Sequence, residues 1–212
     1  MQRYFGKYVD FQTASKADAG ALLGANNAVG DIYDIDIEIE EGIHKAWLVS
    51  KFGDRVGYFD ADFSRKLSLR AAEGLQLRAI LSFVAFTDHP DEGHYWGQAA
   101  VICYSAAYEA EFDRFIGNVA AKIGQDVRPR IDLGEDAVQS IIDSDGEWMP
   151  KQTISLPDVN KGMAFIKRRR SVTDKLIDQG RAGNKGCYVL SWVFLLALVA
   201  LVVFGAKSCF GW

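Results

Sequence analysis

Ile35-Asp36-Ile37-Glu38-Ile39-Glu40 alternates a β-branched apolar residue with a carboxylate over six positions. Successive side chains on a strand point to opposite faces, so this stretch reads as a strand with one buried face and one charged face in water. Working outward, residues 44–50 read as a second strand bounded by Gly42 and Gly53. Arg55-Val-Gly-Tyr-Phe reads as a third, with Phe52-Gly-Asp-Arg turning the chain between them. Residues 76–87 form a long apolar strand, and residues 97–104 pair with it across Asp88-His-Pro-Asp-Glu-Gly-His. One helix interrupts the series: Asp60 or Asp62 caps it, Phe63, Leu67 and Ala71 form its buried stripe, and Gly74 ends it. Short strands around an inserted helix predict an α+β fold built on a small β-barrel or a strongly bent antiparallel sheet.

Beyond residue 105 the period changes. Tyr108, Phe112, Phe115, Ile116, Val119, Ala120 and Ile123 recur at helical spacing, with Ser105 as the N-cap and Gly124 as the stop. A shorter helix is expected over residues 135–142, an extended passage over 148–157, and a last, basic helix from about 159 to 177. Residues 187–206 then run for 20 positions without a charge. At 1.5 Å per residue they reach about 30 Å, the thickness of the hydrocarbon core of a bilayer. Tyr188 and Trp192 lie near one end, and Phe210 and Trp212 near the other, as an aromatic belt would place them. The expected organisation is a β-rich domain over 1–105, a helical region over 106–160, a basic helix and juxtamembrane linker over 161–186, a transmembrane helix over 187–206, and a short external tail over 207–212.

Charge sets the orientation and narrows the partners. Residues 1–160 carry 15 Lys and Arg against 26 Asp and Glu, a net of −11. Residues 161–186 carry 8 against 2, a net of +6, while only Lys207 follows the apolar run. The positive-inside rule therefore predicts a single-pass protein with its N-terminal body in the cytoplasm. The N-terminus has no apolar h-region, and no cleavable signal peptide is expected. An acidic body repels phosphate backbones, which disfavours nucleic acid as a partner. The three cysteines, Cys103, Cys187 and Cys209, are widely spaced and include no C-x-x-C, so neither a disulfide framework nor a zinc ribbon is expected.

Lys45-Ala-Trp-Leu-Val-Ser-Lys-Phe-Gly-Asp-Arg-Val-Gly-Tyr-Phe-Asp, followed by the helix to Gly74 and the strand from Gln76, resembles the HIRAN domain over about residues 30–104. Val56-Gly57-Tyr58 carries the likeness most sharply. The resemblance implies a small β-barrel with inserted helices, and, as in helicase relatives, binding of a single-stranded DNA end. The stretch before the strand reads Glu41-Gly-Ile-His here, where the family has an Asn-Pro-x-Asp-like sequence.

Four groups of residues are candidates for chemistry. Trp47, Lys51, Arg55 and Tyr58 would place aromatic and basic groups on one face of paired strands, able to stack or hold a ligand, although strand aromatics are usually there for packing. Lys167, Arg168, Arg169 and Arg170 stand before the apolar run, where cations either contact anionic headgroups or only set topology. His89 and His94 are candidate metal ligands, in a stretch whose Pro, Asp and Gly are ordinary turn residues. Asp143-Ser-Asp-Gly-Glu has alternate carboxylates, but its glycine stands at the fourth place rather than the sixth that a calcium loop needs. No P-loop, G-x-G-x-x-G, nucleophile elbow or H-E-x-x-H occurs, and no cofactor is expected. The expected function is that of a membrane-tethered cytoplasmic adaptor or sensor, non-enzymatic, with the lipid bilayer and a protein or small ligand as partners. The alternatives are a HIRAN-like nucleic-acid binder at the membrane and a membrane-bound metal-dependent enzyme.

Overall fold

The alternating stretch extends into a nine-residue strand, and its neighbours close around it. In the computed structural model, which describes residues 3–13, 15–24, 26–88, 93–159, 162–171 and Phe194, the order is β1 (Tyr4–Gln12), α1 (Lys16–Leu23), β2 (Ile32–Glu40), β3 (Ile43–Val49) and β4 (Arg55–Tyr58). There follow α2 (Ala61–Ala72), β5 (Leu75–Thr87), β6 (His94–Ser105), a short 3-10 turn, α3 (Glu109–Ile123), α4 (Glu135–Asp143) and β7 (Met163–Lys167). The chain divides at residue 170 into two units, and the description that follows is of the first.

The strands lie in the order β2-β3-β4-β1-β6-β5-β7, every pair antiparallel. β2 also pairs with β5, which closes the first six strands into a barrel. The expected α+β barrel with an inserted helix is therefore present. β5 reaches two partners on the edge that β6 leaves open, because it is 13 residues long. β2 takes residues 78–80 and β7 takes residues 84–87, and between them the β6 register shifts at Ser82.

Two apolar clusters follow from the two faces of this sheet. The barrel interior gathers Phe11, Tyr33, Leu48, Val56, Leu81 and Val101, and α2 inserts Phe63 and Leu67 into it. The outer face of β1, β5 and β6 presents Tyr4, Ile80, Ile102 and Tyr104 to Phe112, Phe115 and Val119 of α3 and to Val138 and Ile141 of α4. β5 and β6 are covered on both faces, which is why their sequences read as apolar runs. Arg128 ties the segment after α3 to the barrel. It is 5% exposed, and its Nε donates to Ser82 Oγ at 3.0 Å and its NH1 to the Ser155 carbonyl at 2.6 Å. Its NH2 donates to Gln98 Oε1, and its guanidinium lies 4.5 Å over the Tyr8 ring.

Local signals behave as their chemistry requires. Asp60 caps α2, accepting from the Phe63 amide at 2.8 Å. Ser105 caps the 3-10 turn that precedes α3 rather than α3 itself. Ala71, expected in the buried stripe of α2, is exposed. Asp143 to Glu147 forms the turn that ends α4: the Gly146 amide donates to the Ile141 carbonyl at 2.8 Å.

The basic stretch departs from expectation. Met163–Lys167 is a strand on β5, not part of a helix over 159–177, because Met163, Phe165 and Lys167 alternate toward the body while Ala164 and Ile166 face out. Phe165 meets Phe83 edge to face, 5.0 Å between centroids. Among the described residues no helix is long and apolar enough to cross a membrane. The expected transmembrane helix over 187–206 and the linker over 172–186 lie outside the described residues, apart from Phe194.

Candidate functional site

The outer face of β2, β3 and β4 is where polar and aromatic groups converge. Register places Asp36 opposite Trp47, Glu38 opposite Lys45, and Glu40 opposite Ile43. On the other side Trp47 stands opposite Tyr58. A bulge between Leu48 and Val49 gives β4 one extra residue, so Arg55 and Tyr58, three apart, share a face. The partners of these residues on the opposite face, Ala46, Leu48 and Val56, are fully buried in the barrel.

The Trp47 and Tyr58 rings lie 5.3 Å apart at 58°. The ammonium of Lys45 stands over both, 4.2 Å from the Trp47 centroid and 4.1 Å from that of Tyr58. The Arg55 guanidinium lies 5.1 Å from the Trp47 ring. Glu38 organises the group through one oxygen: Oε2 accepts from Trp47 Nε1 at 2.9 Å and from Arg55 NH1 at 3.0 Å. Arg55 NH2 donates to Asp36 Oδ2 at 2.7 Å. The hydrogen bond to Asp36, with the Glu38 and Asp36 charges behind it, raises the Arg55 pKa above its ordinary value. Among the described residues Lys45 Nζ has no hydrogen bond and no ion pair, so two ring faces alone hold it in place. A depression of about 600 Å³ opens beside it, lined by Glu38, Glu40, Glu41, Ile43 and Lys45.

Of the four residues expected on this face, the structure unites Trp47, Arg55 and Tyr58. Lys51 sits in the following turn with Nζ 5.4 Å over the Phe52 ring. Lys45 and Glu38 escaped the sequence reading, although each was findable. Lys45 is two residues before Trp47 and so shares its face, and Glu38 alternates with the isoleucines of β2 on the water side.

The basic cluster splits. Lys167 Nζ donates to the carbonyls of Leu22, Gly24 and Asn27 at 3.2, 2.8 and 2.9 Å, closing the C-terminal end of α1. Arg170 pairs with Asp31 and donates from Nε to the Val29 carbonyl at 3.3 Å. Arg168, 3.4 Å from Asp126, and Arg169 are exposed. His94 opens β6 and is exposed, while His89 lies outside the described residues. Among the described residues no group of three or more His, Cys, Asp or Glu could hold a metal ion. Cys103 is buried in the barrel, and burial pushes its thiol up to about 12, far from reactivity. No family model matches the chain, and no curated protein is significantly similar to it.

Proposed function

We propose that the chain is a non-enzymatic recognition module, an adaptor or sensor, and that it takes a protein or small ligand on the outer face of β2, β3 and β4. The observation that carries this reading is the distribution of cover. α3 and α4 occupy the outer face of β1, β5 and β6. α1 and α2 turn Leu22, Phe63 and Leu67 into the interior. The remaining sheet face carries a preorganised aromatic pair, a shared carboxylate and an open depression. Aromatic anchors amid polar groups are what recognition surfaces use. Nucleic acid is disfavoured there, since Asp36, Glu38, Glu40 and Glu41 outnumber Lys45 and Arg55.

In the same reading residues 187–206 hold the barrel at a bilayer, on its cytoplasmic side. The support is the uncharged run and the lopsided flanks. Arg168 and Arg169, exposed, are then the cations of the basic cluster best placed for anionic headgroups, with about 1 kcal/mol expected from each.

The test of the face is a photo-crosslinking amino acid in the full-length chain in cells, at position 43 or, as a control on α3, at position 122. A discrete adduct from 43 and none from 122 is expected; no adduct, or the same adducts from both, would overturn the binding face. Alkaline carbonate washing tests the anchor, and release of the full-length chain into the supernatant would remove it.

A further inference from the structure

We infer that the occupant of this face is a lysine-bearing peptide segment, whose ammonium takes the place of Lys45 between Trp47 and Tyr58. The inference rests on the reading of the face as a binding surface and names the chemistry that surface selects.

Lys45 shows what the ring pair accepts. Its ammonium is equidistant from the two centroids, at 4.2 and 4.1 Å, so the site already fits a compact cation. It is also the cation most easily displaced. Register sets Glu38 opposite Lys45, yet Glu38 Oε2 is engaged by Trp47 and Arg55 instead. Arg55 is fixed by two carboxylates, whereas Lys45 swings on a flexible stem with only ring faces to leave. The bonds among Trp47, Glu38, Arg55 and Asp36 do not pass through Lys45, so its departure would break none of them.

The surroundings attract a second cation and repel an anion. Glu40 and Glu41 line the depression beside Lys45 and carry no ion pair among the described residues. Ile43, 62% exposed in the same wall, offers apolar contact to the stem of an incoming side chain. An acidic peptide would meet the Glu40 and Glu41 carboxylates at the depression, and a neutral one would have nothing to exchange for the lost contact of Lys45.

The experiment uses the full chain in neutral detergent and three labelled peptides: tetralysine amide, tetraglutamate amide and a Gly-Ser peptide, followed by fluorescence anisotropy. Tetralysine is expected to bind. Lys45→Met, which keeps the stem and removes the competing charge, should tighten it about two- to fivefold. Glu40→Gln with Glu41→Gln should weaken it, while Glu109→Gln with Glu111→Gln on α3, the same change in net charge elsewhere, should not. No tetralysine binding, equal weakening by the two carboxylate pairs, or weaker binding by Lys45→Met would each overturn the inference. Binding of the acidic or neutral peptide that Tyr58→Leu weakens would overturn the lysine assignment while leaving the face a binding surface, and absence of the crosslink from position 43 would remove the face itself.

Discussion

The ring of Phe11 fills the place where a Cβ on Gly57 would stand: that atom would fall 2.6 Å from Cδ2 of the ring. Gly97 faces the same ring from the other side, its Cβ position 2.6 Å from Phe11 Cζ and 2.6 Å from the Phe83 carbonyl oxygen. The barrel closes around Phe11 because the strands on both flanks of β1 lack a side chain there.

Gly57→Ala should therefore destabilise the protein by about 1–3 kcal/mol through overpacking. Phe11→Leu should recover part of that loss in the double variant, making the two changes non-additive. Urea unfolding followed by near-ultraviolet circular dichroism measures both. A neutral Gly57→Ala would show that Phe11 can move aside.

Arg128 makes the second prediction. Its three side-chain donors serve Ser82, Gln98 and the Ser155 carbonyl in a buried site. Arg128→Met keeps the stem but strands these acceptors, and a loss of about 2–4 kcal/mol is expected. Arg128→Lys should restore less than half, since one ammonium cannot reach three acceptors in the geometry of a planar fork. Equal stability of the Lys and Arg forms would show that charge alone matters there.

Much of the barrel was readable where one strand face meets water. β2 declared itself because Asp36, Glu38 and Glu40 are solvated while Ile35 and Ile37 pack on the core. β1 gives no clear strand signal because it carries apolar residues on both faces, with exposed Lys7, Asp10 and Gln12 scattered among them. Phe11 points into the barrel, and Tyr4 and Tyr8 point out to donate to the Ile131 and Pro129 carbonyls, both at 2.9 Å. No alternation survives that arrangement. β7 hides in the sequence because Lys167-Arg-Arg-Arg reads as a solvated helix, whereas Lys167 answers three carbonyls that only the fold assembles. The candidate face is legible in Trp47, Arg55 and Tyr58; the bond from Trp47 to Glu38 depends on a strand register that one sequence does not disclose.

Alkali should weaken the fold from about pH 9 upward. Burial raises Cys103 to about 12 from 9.0, and holds Tyr4, Tyr8 and Tyr33 above their ordinary 10.0. Above those ordinary values the unfolded chain releases these protons while the folded chain keeps them, so unfolding gains free energy as pH rises. The stability is intact below pH 9 and is lost as pH climbs toward the folded values. The urea midpoint should fall between pH 9 and 11, and Cys103→Val should delay the onset. A flat midpoint would contradict the burial of these groups.

Lys167→Met should cost about 1–3 kcal/mol, because the carbonyls of Leu22, Gly24 and Asn27 at the C-terminal end of α1 lose their cationic donor. Arg169→Met, at an exposed position, should stay within about 0.5 kcal/mol of the unsubstituted protein. Thermal melts of the two variants side by side decide the matter. The reverse order would mean that the β7 strap is not what holds α1.

β1 pairs with β6 over its whole length, from Tyr4 opposite Tyr104 to Gln12 opposite Trp96. In synthesis β1 must wait for β6, the last strand of the barrel. At about 5–20 residues per second, the interval between Gln12 and Tyr104 is on the order of 5–20 s. Throughout it Tyr4, Phe5, Tyr8, Val9 and Phe11 are exposed on a nascent chain whose β2–β3–β4 leaf can already fold from local hairpins. Barrel closure is thus a pairing between strands more than 80 residues apart, and the apolar side chains of β1 gain their β6 partners only when the last barrel strand has been made.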